Sequence, residues 1–556
     1  MSATLALLVI FAFVIYYKLI KRSPFWNIPG PKSSSYILGH AWDMFHKPTG
    51  VSELEWQDKY GSVVHLKGPF GTEQLMITDP KALYHIFQET DYIWRKSSSR
   101  KELSRLTSGR GLAWADGDIH KRQRKLMMPA FGAPEAKHYL PYFTACAATA
   151  SHLYSNVQLC ERWSDILSTS PEQTEVLNIA EWTTRFALDA LGQAAFDYDF
   201  GAIKDEEGSE LGKLYQGMMA KSFGMPSMAT LLGLELFRFI PSRIMEFWND
   251  HDPRYKLLHR VAQVATTTAQ HLISMKSAAV SENKNKKDVM SILVKANMDA
   301  KSPNARLTEE EIWASIRVLI FAGHETTANS LSWMLYELAR HPDLQQRVRA
   351  EVWGMQRKLT SRDTDTNITM QELESMSLFN ATVKEGLRFH PPNPLMARTS
   401  TEDDVLPLSK PIRTTTGEVL HEIGVSKGTT VIASVAAYNR NPDVFGKDAS
   451  VFNPERWLRP KLAESSGASF GVYANLGTFS AGIRSCIGWR FAVLEIQTLL
   501  YELLLNFEFH ATAETDDIRR VTAFIMIPAL KAELQKGSQM PLRVSFASRA
   551  DQEELK

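Results

Sequence analysis

The chain has 556 residues, 44% hydrophobic and 22% charged, with a net charge of +1. This is ordinary globular composition, long enough for a large core around a sizeable cofactor, and near-neutrality excludes a global field aimed at nucleic acid. Three cysteines, Cys146, Cys160 and Cys486, are too few, and odd in number, for a disulfide framework and suit a body facing the reducing cytosol.

The N-terminus reads as a membrane anchor over residues 1–22. Ala3 to Tyr17 is apolar except for Thr4, Leu19 and Ile20 extend the run past Lys18, and Lys21 and Arg22 close it. As a helix the run spans about 27 Å, matching a thin bilayer like that of the endoplasmic reticulum. The positive charges follow the apolar run, which distinguishes it from a cleaved signal peptide and keeps the body cytosolic. Residues 23–50 form a hinge and lead-in, where Pro29 and Pro31 end the anchor in a stiff elbow.

Residues 51–556 read as one mainly α-helical domain with small β-sheets. Val63–Leu66 and Gln74–Thr78 form a hairpin around Gly68 and Gly71, and Asp79 followed by Pro80 caps a helix. From residue 117 to about 395 the pattern is mostly helical. Thr308 and Glu311 make a capping box for a helix that continues to about Arg340, about 50 Å long. Ser281–Asp288 and Ser361–Asn367 read as solvated loops, and strand patterns return at 398–435 and 524–545. Cys146 and Cys160 read as packing residues.

Within the long helix stands Ala322, Gly323, His324, Glu325, Thr326, Thr327. The preceding apolar run Val318–Phe321 argues for burial. Gly323 loosens the helix and the threonine hydroxyls bend it by bonding back to the i−4 carbonyl, which suits a polar pocket over a metal.

Phe479, Gly482, Arg484, Cys486 and Gly488, followed by a helical pattern from Trp489, are the most specific feature of the chain. A cysteine just before a helix N-terminus is biased toward thiolate. The glycines allow tight turns and close approach to a flat ligand. Backbone N–H groups tune the sulfur, and Arg484 reaches an anionic edge of the cofactor. A thiolate opposite an open iron position favours O–O cleavage.

This F-x-x-G-x-R-x-C-x-G pattern resembles that of the cytochrome P450 superfamily with no substitution at a fixed position. The style is closest to fungal microsomal members near the fatty-acid ω-hydroxylase and steroid-oxidising groups. The resemblance implies a P450 fold, a single large haem domain behind an N-terminal transmembrane helix, and haem b held by Cys486. Phe479 and Gly488 belong to the cofactor loop. Thr326 would bond the oxygen and Glu325 would relay protons to it. Glu385 and Arg388 resemble the family's E-x-x-R pair, which Arg456 joins in a buried network that supports the fold. His120 stands where tryptophan is common and Arg124 is retained, both on the haem propionates, as is Arg398.

Lys121, Arg122, Lys125 and Arg490 are expected to form an exposed basic patch for an acidic electron donor. No flavin or nicotinamide motif is present, so electrons are expected in trans, and the resemblance implies a separate NADPH–cytochrome P450 reductase as their source, with cytochrome b5 as a further donor. The implied enzyme is a single-pass endoplasmic-reticulum protein with its catalytic domain in the cytosol and no nucleic-acid partner.

The pocket is expected from Trp94–Trp114, Met218–Pro241, Ile316–Thr326, Pro391–Met396 and Phe524–Pro528, an apolar and methionine-rich set that suits a lipophilic substrate. A terpenoid-type secondary metabolite leads, with a fatty acid or sterol as alternative. A P450-like isomerase or dehydratase and a non-catalytic haem-binding protein are the competing functions.

Overall fold

A computed structural model describes residues 24–148, 159–204, 210–215, 218, 222, 226–236, 240–281, 287–300, 302–362, 367–459, 469–522 and 524–548. The anchor expected over 1–22 lies outside these residues, as do most of the expected loops at 282–286 and 363–366. Among the described residues no helix is long and apolar enough to cross a membrane.

The helix Glu309–Arg340 threads the core. The Thr308 hydroxyl accepts from the Glu311 N–H at 3.2 Å, and the Glu311 carboxylate accepts from the Thr308 N–H at 2.9 Å. From Ala314 to Ala339 every residue is buried except Arg317, Ala322, Gly323 and Thr326. Such burial all round is expected of a helix enclosed by other elements. The helix is unbroken through Gly323. That glycine serves packing: a Cβ there would lie 2.8 Å from Leu191 Cδ1, on the adjacent helix Ile179–Leu191. The expected loosening is therefore replaced by a close helix–helix approach.

Helix Trp489–Asn506 packs against Ala133–Ala147. Phe491 meets Phe143 edge-on, with ring centroids 4.8 Å apart, an arrangement aromatic quadrupoles favour. Cys146 and Cys160 are buried in two helices of this layer, and burial pushes both thiols well up, so neither is a nucleophile.

The largest sheet has five strands in the spatial order Val63–Lys67, Glu73–Ile77, Thr430–Ser434, Leu395–Ser400 and Trp94–Arg95. The first two are the expected hairpin, with Val63 opposite Ile77. Asp79 caps the next helix by accepting from the Lys81 and Ala82 N–H groups, each at 3.0 Å. Strand Leu395–Ser400 alternates half-buried and buried residues, and pairing with Thr430–Ser434 sets Arg398 opposite Val431. The hairpin Ile518–Thr522 with Met526–Leu530 carries Phe524 and Ile525 at its turn.

Asp288 departs from the expected solvated loop. It is buried, caps the helix Val289–Met298 through the Ser291 N–H, and pairs with Lys276 at 2.9 Å. A buried carboxylate with a cation and donors is a structural clip; sequence charge alone did not separate it from a surface residue.

Candidate active site

The segment before helix Trp489–Asn506 is made of two short turns, Gly477–Phe479 and Gly482–Arg484. The Cys486 N–H donates to the Phe479 carbonyl at 2.8 Å, and the Ser485 N–H to the Gly482 carbonyl at 3.1 Å. Gly482 sits at φ +60°, and a Cβ there would collide with the Phe87 carbonyl. Only glycine meets both demands. At Gly488, by contrast, a Cβ would find ordinary contact with Phe131 at 3.6 Å. Nothing in the surrounding polypeptide requires glycine there.

Cys486 is exposed, and the surface it exposes forms part of the wall of a large cavity. The protein packed behind it raises its thiol above the ordinary value by desolvation, offset in part by the Gly488 N–H and the Arg124 charge.

The cavity measures about 1360 Å³, larger than the usual pocket for one small molecule and sufficient for a flat cofactor with a substrate. Thr326 lines it and Glu325 does not. Adjacent helix positions diverge by about 100°. Glu325 turns toward His324, with Oε1 3.6 Å from Nε2. The Thr326 hydroxyl donates to the Ala322 carbonyl at 2.8 Å and that of Thr327 to Gly323 at 3.2 Å, the back-bonding anticipated from the sequence.

All five segments expected to form the pocket contribute to its wall. Of the expected methionines, Met396 lines the cavity, Met218 is fully buried in packing and Met228 is exposed, while Met219 and Met225 lie outside the described residues. From the segment Met218–Pro241, Ser222, Pro226, Ser227, Thr230 and Leu231 face the cavity.

Among the described residues the wall holds seven cations, Arg95, Lys96, Arg100, Arg124, Arg254, Arg398 and Arg484, and no Asp or Glu. Arg124 donates to the Ser485 carbonyl and hydroxyl. Arg484 pairs with Asp116 beneath the surface, yet its buried Nε has no partner. Arg398 donates to the Ala397 carbonyl at 2.9 Å and stacks over Phe87. Burial first, then the positive charges of Arg484 and Arg100, hold its pKa down at about 9. His120 is buried, with Nδ1 2.8 Å from the Tyr92 hydroxyl. Burial and the charges of Arg484, Lys96 and Arg124 push its pKa down to about 3, so it is neutral. If Tyr92 donates to Nδ1, the proton resides on Nε2, free to donate to a carboxylate. A cysteine and this donor set in one cavity fit a metal-bearing, dianionic, planar cofactor. Lys96 and Arg100 lie within the expected pocket segment Trp94–Trp114, where nothing local marks them as cavity cations, and Tyr92 and Asp116 carry no motif.

Behind the loop lies a second polar cluster. Glu385 and Arg388 are fully buried and bonded at 2.7 and 2.8 Å. Arg456 Nε donates to Glu385 Oε1 at 3.1 Å and Trp457 Nε1 to Oε2 at 2.9 Å. Arg388 also donates to the carbonyls of Asn439, Ala449 and Val451, so its charge is fully solvated by protein. On the surface, Lys121 and Lys125 are exposed. Arg122 is not part of an open patch, because Glu311 binds it at 2.7 Å. Arg490 lies over the Trp489 ring.

A family model described as cytochrome P450 matches residues 29–535. Cytochrome P450 monooxygenase 205 of Postia placenta is 29% identical, covering 94% of this chain and 93% of the relative. A ganoderic acid synthetase of Ganoderma lucidum is 31% identical over 90% of each chain. A cytochrome P450 monooxygenase of Ampulloclitocybe clavipes is 30% identical, over 94% of this chain and 93% of the relative.

Proposed function

Because this chain belongs to the cytochrome P450 family and is a monooxygenase of fungal type, we propose that Cys486 ligates its haem iron and that it hydroxylates a lipophilic, terpenoid-type secondary metabolite. The observation that carries the reading is Cys486 at the wall of a cavity that also presents Thr326 and a carboxylate-free set of cations. A fatty acid or sterol is the alternative substrate class. The haem, when bound, supplies activation of O2 for RH + O2 + 2e⁻ + 2H⁺ → ROH + H2O.

The chain's own residues hold and protonate. The loop fixes the Cys486 sulfur through the bond from its N–H to Phe479, and the Gly488 N–H and Arg124 favour its thiolate. Phe479 packs at the cavity wall beside it. Arg124, Arg398, Arg484 and neutral His120 hold the two propionates. Thr326 Oγ1 passes a proton to the reacting oxygen, and Glu325 replenishes it after swinging from His324 toward the cavity. Glu385, Arg388 and Arg456 pin the core behind the cysteine loop.

Residues 1–22 anchor the chain in the endoplasmic-reticulum membrane, 23–50 serve as hinge, and 51–556 form the catalytic domain in the cytosol. Lys121, Lys125 and Arg490 steer an acidic donor, NADPH–cytochrome P450 reductase, with cytochrome b5 as a second source. A relative named as a ganoderic acid synthetase supports the secondary-metabolite reading.

The test is the reduced carbon-monoxide difference spectrum of the expressed protein. A strongly red-shifted Soret band is expected, absent in Cys486→His. A band at the ordinary haem position in folded wild-type protein rejects the thiolate assignment.

A further inference from the structure

The cavity wall carries more positive charge than the haem requires. Two propionates bring two negative charges, and Arg124, Arg398 and Arg484, the last already paired with Asp116, are enough to balance them. Arg100 is a further cation, in the first turn of helix Ser98–Ser108. Its guanidinium lies 3.8 Å from the centroid of the Phe524 ring, and Nη1 makes a 3.4 Å bond to the Phe524 carbonyl. No carboxylate among the described residues pairs with it. The desolvation around it is strong enough to hold its pKa down at about 10. Arg100 is half-buried at the cavity wall, and an unneutralised, partly desolvated guanidinium is costly unless an anion arrives to meet it.

Its location points to substrate. Phe524 in turn packs edge-on against Phe321, with centroids 5.5 Å apart. Phe321 lies on the long helix five residues before Thr326, about 7.5 Å along the axis. Arg100 therefore stands one ring away from the helix that carries the proton-donating hydroxyl, and Phe321, Phe524 and Thr326 all line the same cavity. On the wall of the same cavity the Ser222 hydroxyl is buried without a partner. The wall thus offers an apolar body with one cationic corner, the complement of an amphiphile with an acidic end.

We infer that Arg100 is a substrate anchor, and that the lipophilic molecule oxidised here carries a carboxylate. This rests on the monooxygenase reading of the same cavity. The guanidinium forms a charge-assisted, two-pronged contact with the acid, which holds the scaffold against the Phe524–Phe321 wall. Anchoring one end leaves a carbon on a different part of the scaffold before Thr326, so the acid group directs the position of oxidation and is not itself oxidised.

The test uses full-length holoprotein and two matched pairs of probes, dodecanoic acid with methyl dodecanoate and abietic acid with methyl abietate. Binding is read by equilibrium dialysis of labelled probe and by the haem spin-state shift. Wild type is expected to bind at least one acid tenfold or more tightly than its ester. Arg100→Gln is expected to remove that factor for the acid and leave the ester unchanged, while Arg100→Lys retains part of it. Haem content is expected to be the same in all three proteins.

Equal affinity for acid and ester in wild type, binding of neither acid, or an unchanged acid preference in Arg100→Gln overturns the inference. Loss of haem from Arg100→Gln with retention in Arg100→Lys also overturns it, assigning Arg100 to a propionate. Dialysis does not depend on the thiolate. Acid preference without a red-shifted carbon-monoxide band therefore rejects the Cys486 reading alone, and the reverse result rejects the anchor alone.

Discussion

The Arg124 guanidinium grips Ser485, the residue before Cys486, donating to its carbonyl at 2.8 Å and to its hydroxyl at 3.0 Å. Helix Gly117–Met127 is thereby tied to the cysteine loop across 361 positions of sequence. The same side chain lowers the thiol pKa through its charge. Arg124→Ala is expected to loosen the loop by about 1.5–3 kcal/mol, the usual worth of a hydrogen bond to a charged group. The measurement is haem retained after gel filtration, which should fall in Arg124→Ala and recover in part in Arg124→Lys.

Glu385 accepts from both Arg388 and Arg456 with no access to water. Glu385→Gln keeps the shape and leaves the Arg388 guanidinium without a carboxylate, while Arg456 keeps Asp448 at 2.8 Å. The expected loss is about 3–5 kcal/mol, as when one partner of a buried ion pair is removed. Urea unfolding followed by tryptophan fluorescence measures it, and a midpoint equal to wild type would contradict the supporting role.

Thr326 and Thr327 differ by which way they face. Thr326 lines the cavity, whereas Thr327 is buried in the helix packing. Thr326→Ala is expected to keep haem and substrate binding while diverting electrons to hydrogen peroxide. Thr327→Ala is expected to change coupling little. The ratio of NADPH consumed to product formed, in both variants with a reductase, separates the two.

His390 stacks on Trp333 with ring centroids 4.5 Å apart and sits 2.7 Å from Glu337 through Nε2. Burial first, then the Arg520 charge, pushes its pKa down to about 3, against 6.5 for a free imidazole. The unfolded chain therefore binds the extra proton between pH 6.5 and about 3. This contribution is complete above pH 6.5 and is lost as pH falls below it, at up to about 1.4 kcal/mol per pH unit. His390→Gln, which preserves a donor to Glu337, should flatten the fall in stability between pH 6.5 and 5. An identical slope in wild type and variant would refute this origin.

Much of the site was legible in local sequence because it is built from local geometry. The positions of Gly482, Arg484 and Cys486 define a turn whose backbone bonds close within ten residues, so adjacent residues carry the signal. The Thr308 and Glu311 capping box, the hairpin from Val63 and the Asp79 cap are legible for the same reason: each partner lies within a few positions of the other or at a strand register. Glu385 with Arg388 is an i, i+3 pair that any helix presents. Its meeting with Arg456 spans a separation of 71 positions from Glu385, and the motif resemblance supplied that expectation.

What the sequence by itself determined is the class of the cavity: a cysteine loop poised before a helix, a long buried helix bearing Thr326, and strands that return near the C-terminus. Only tertiary structure decided which charged residues face inward. Arg122, read as an exposed donor contact, is taken by Glu311, Asp288 is a buried cap, and Glu325 turns from the cavity that Thr326 enters. Lys96 and Arg100, indistinguishable in sequence from surface cations, line the wall. The physical reason is that charge is a property of a residue, whereas desolvation and pairing belong to its surroundings. Those surroundings are assembled from elements hundreds of positions apart.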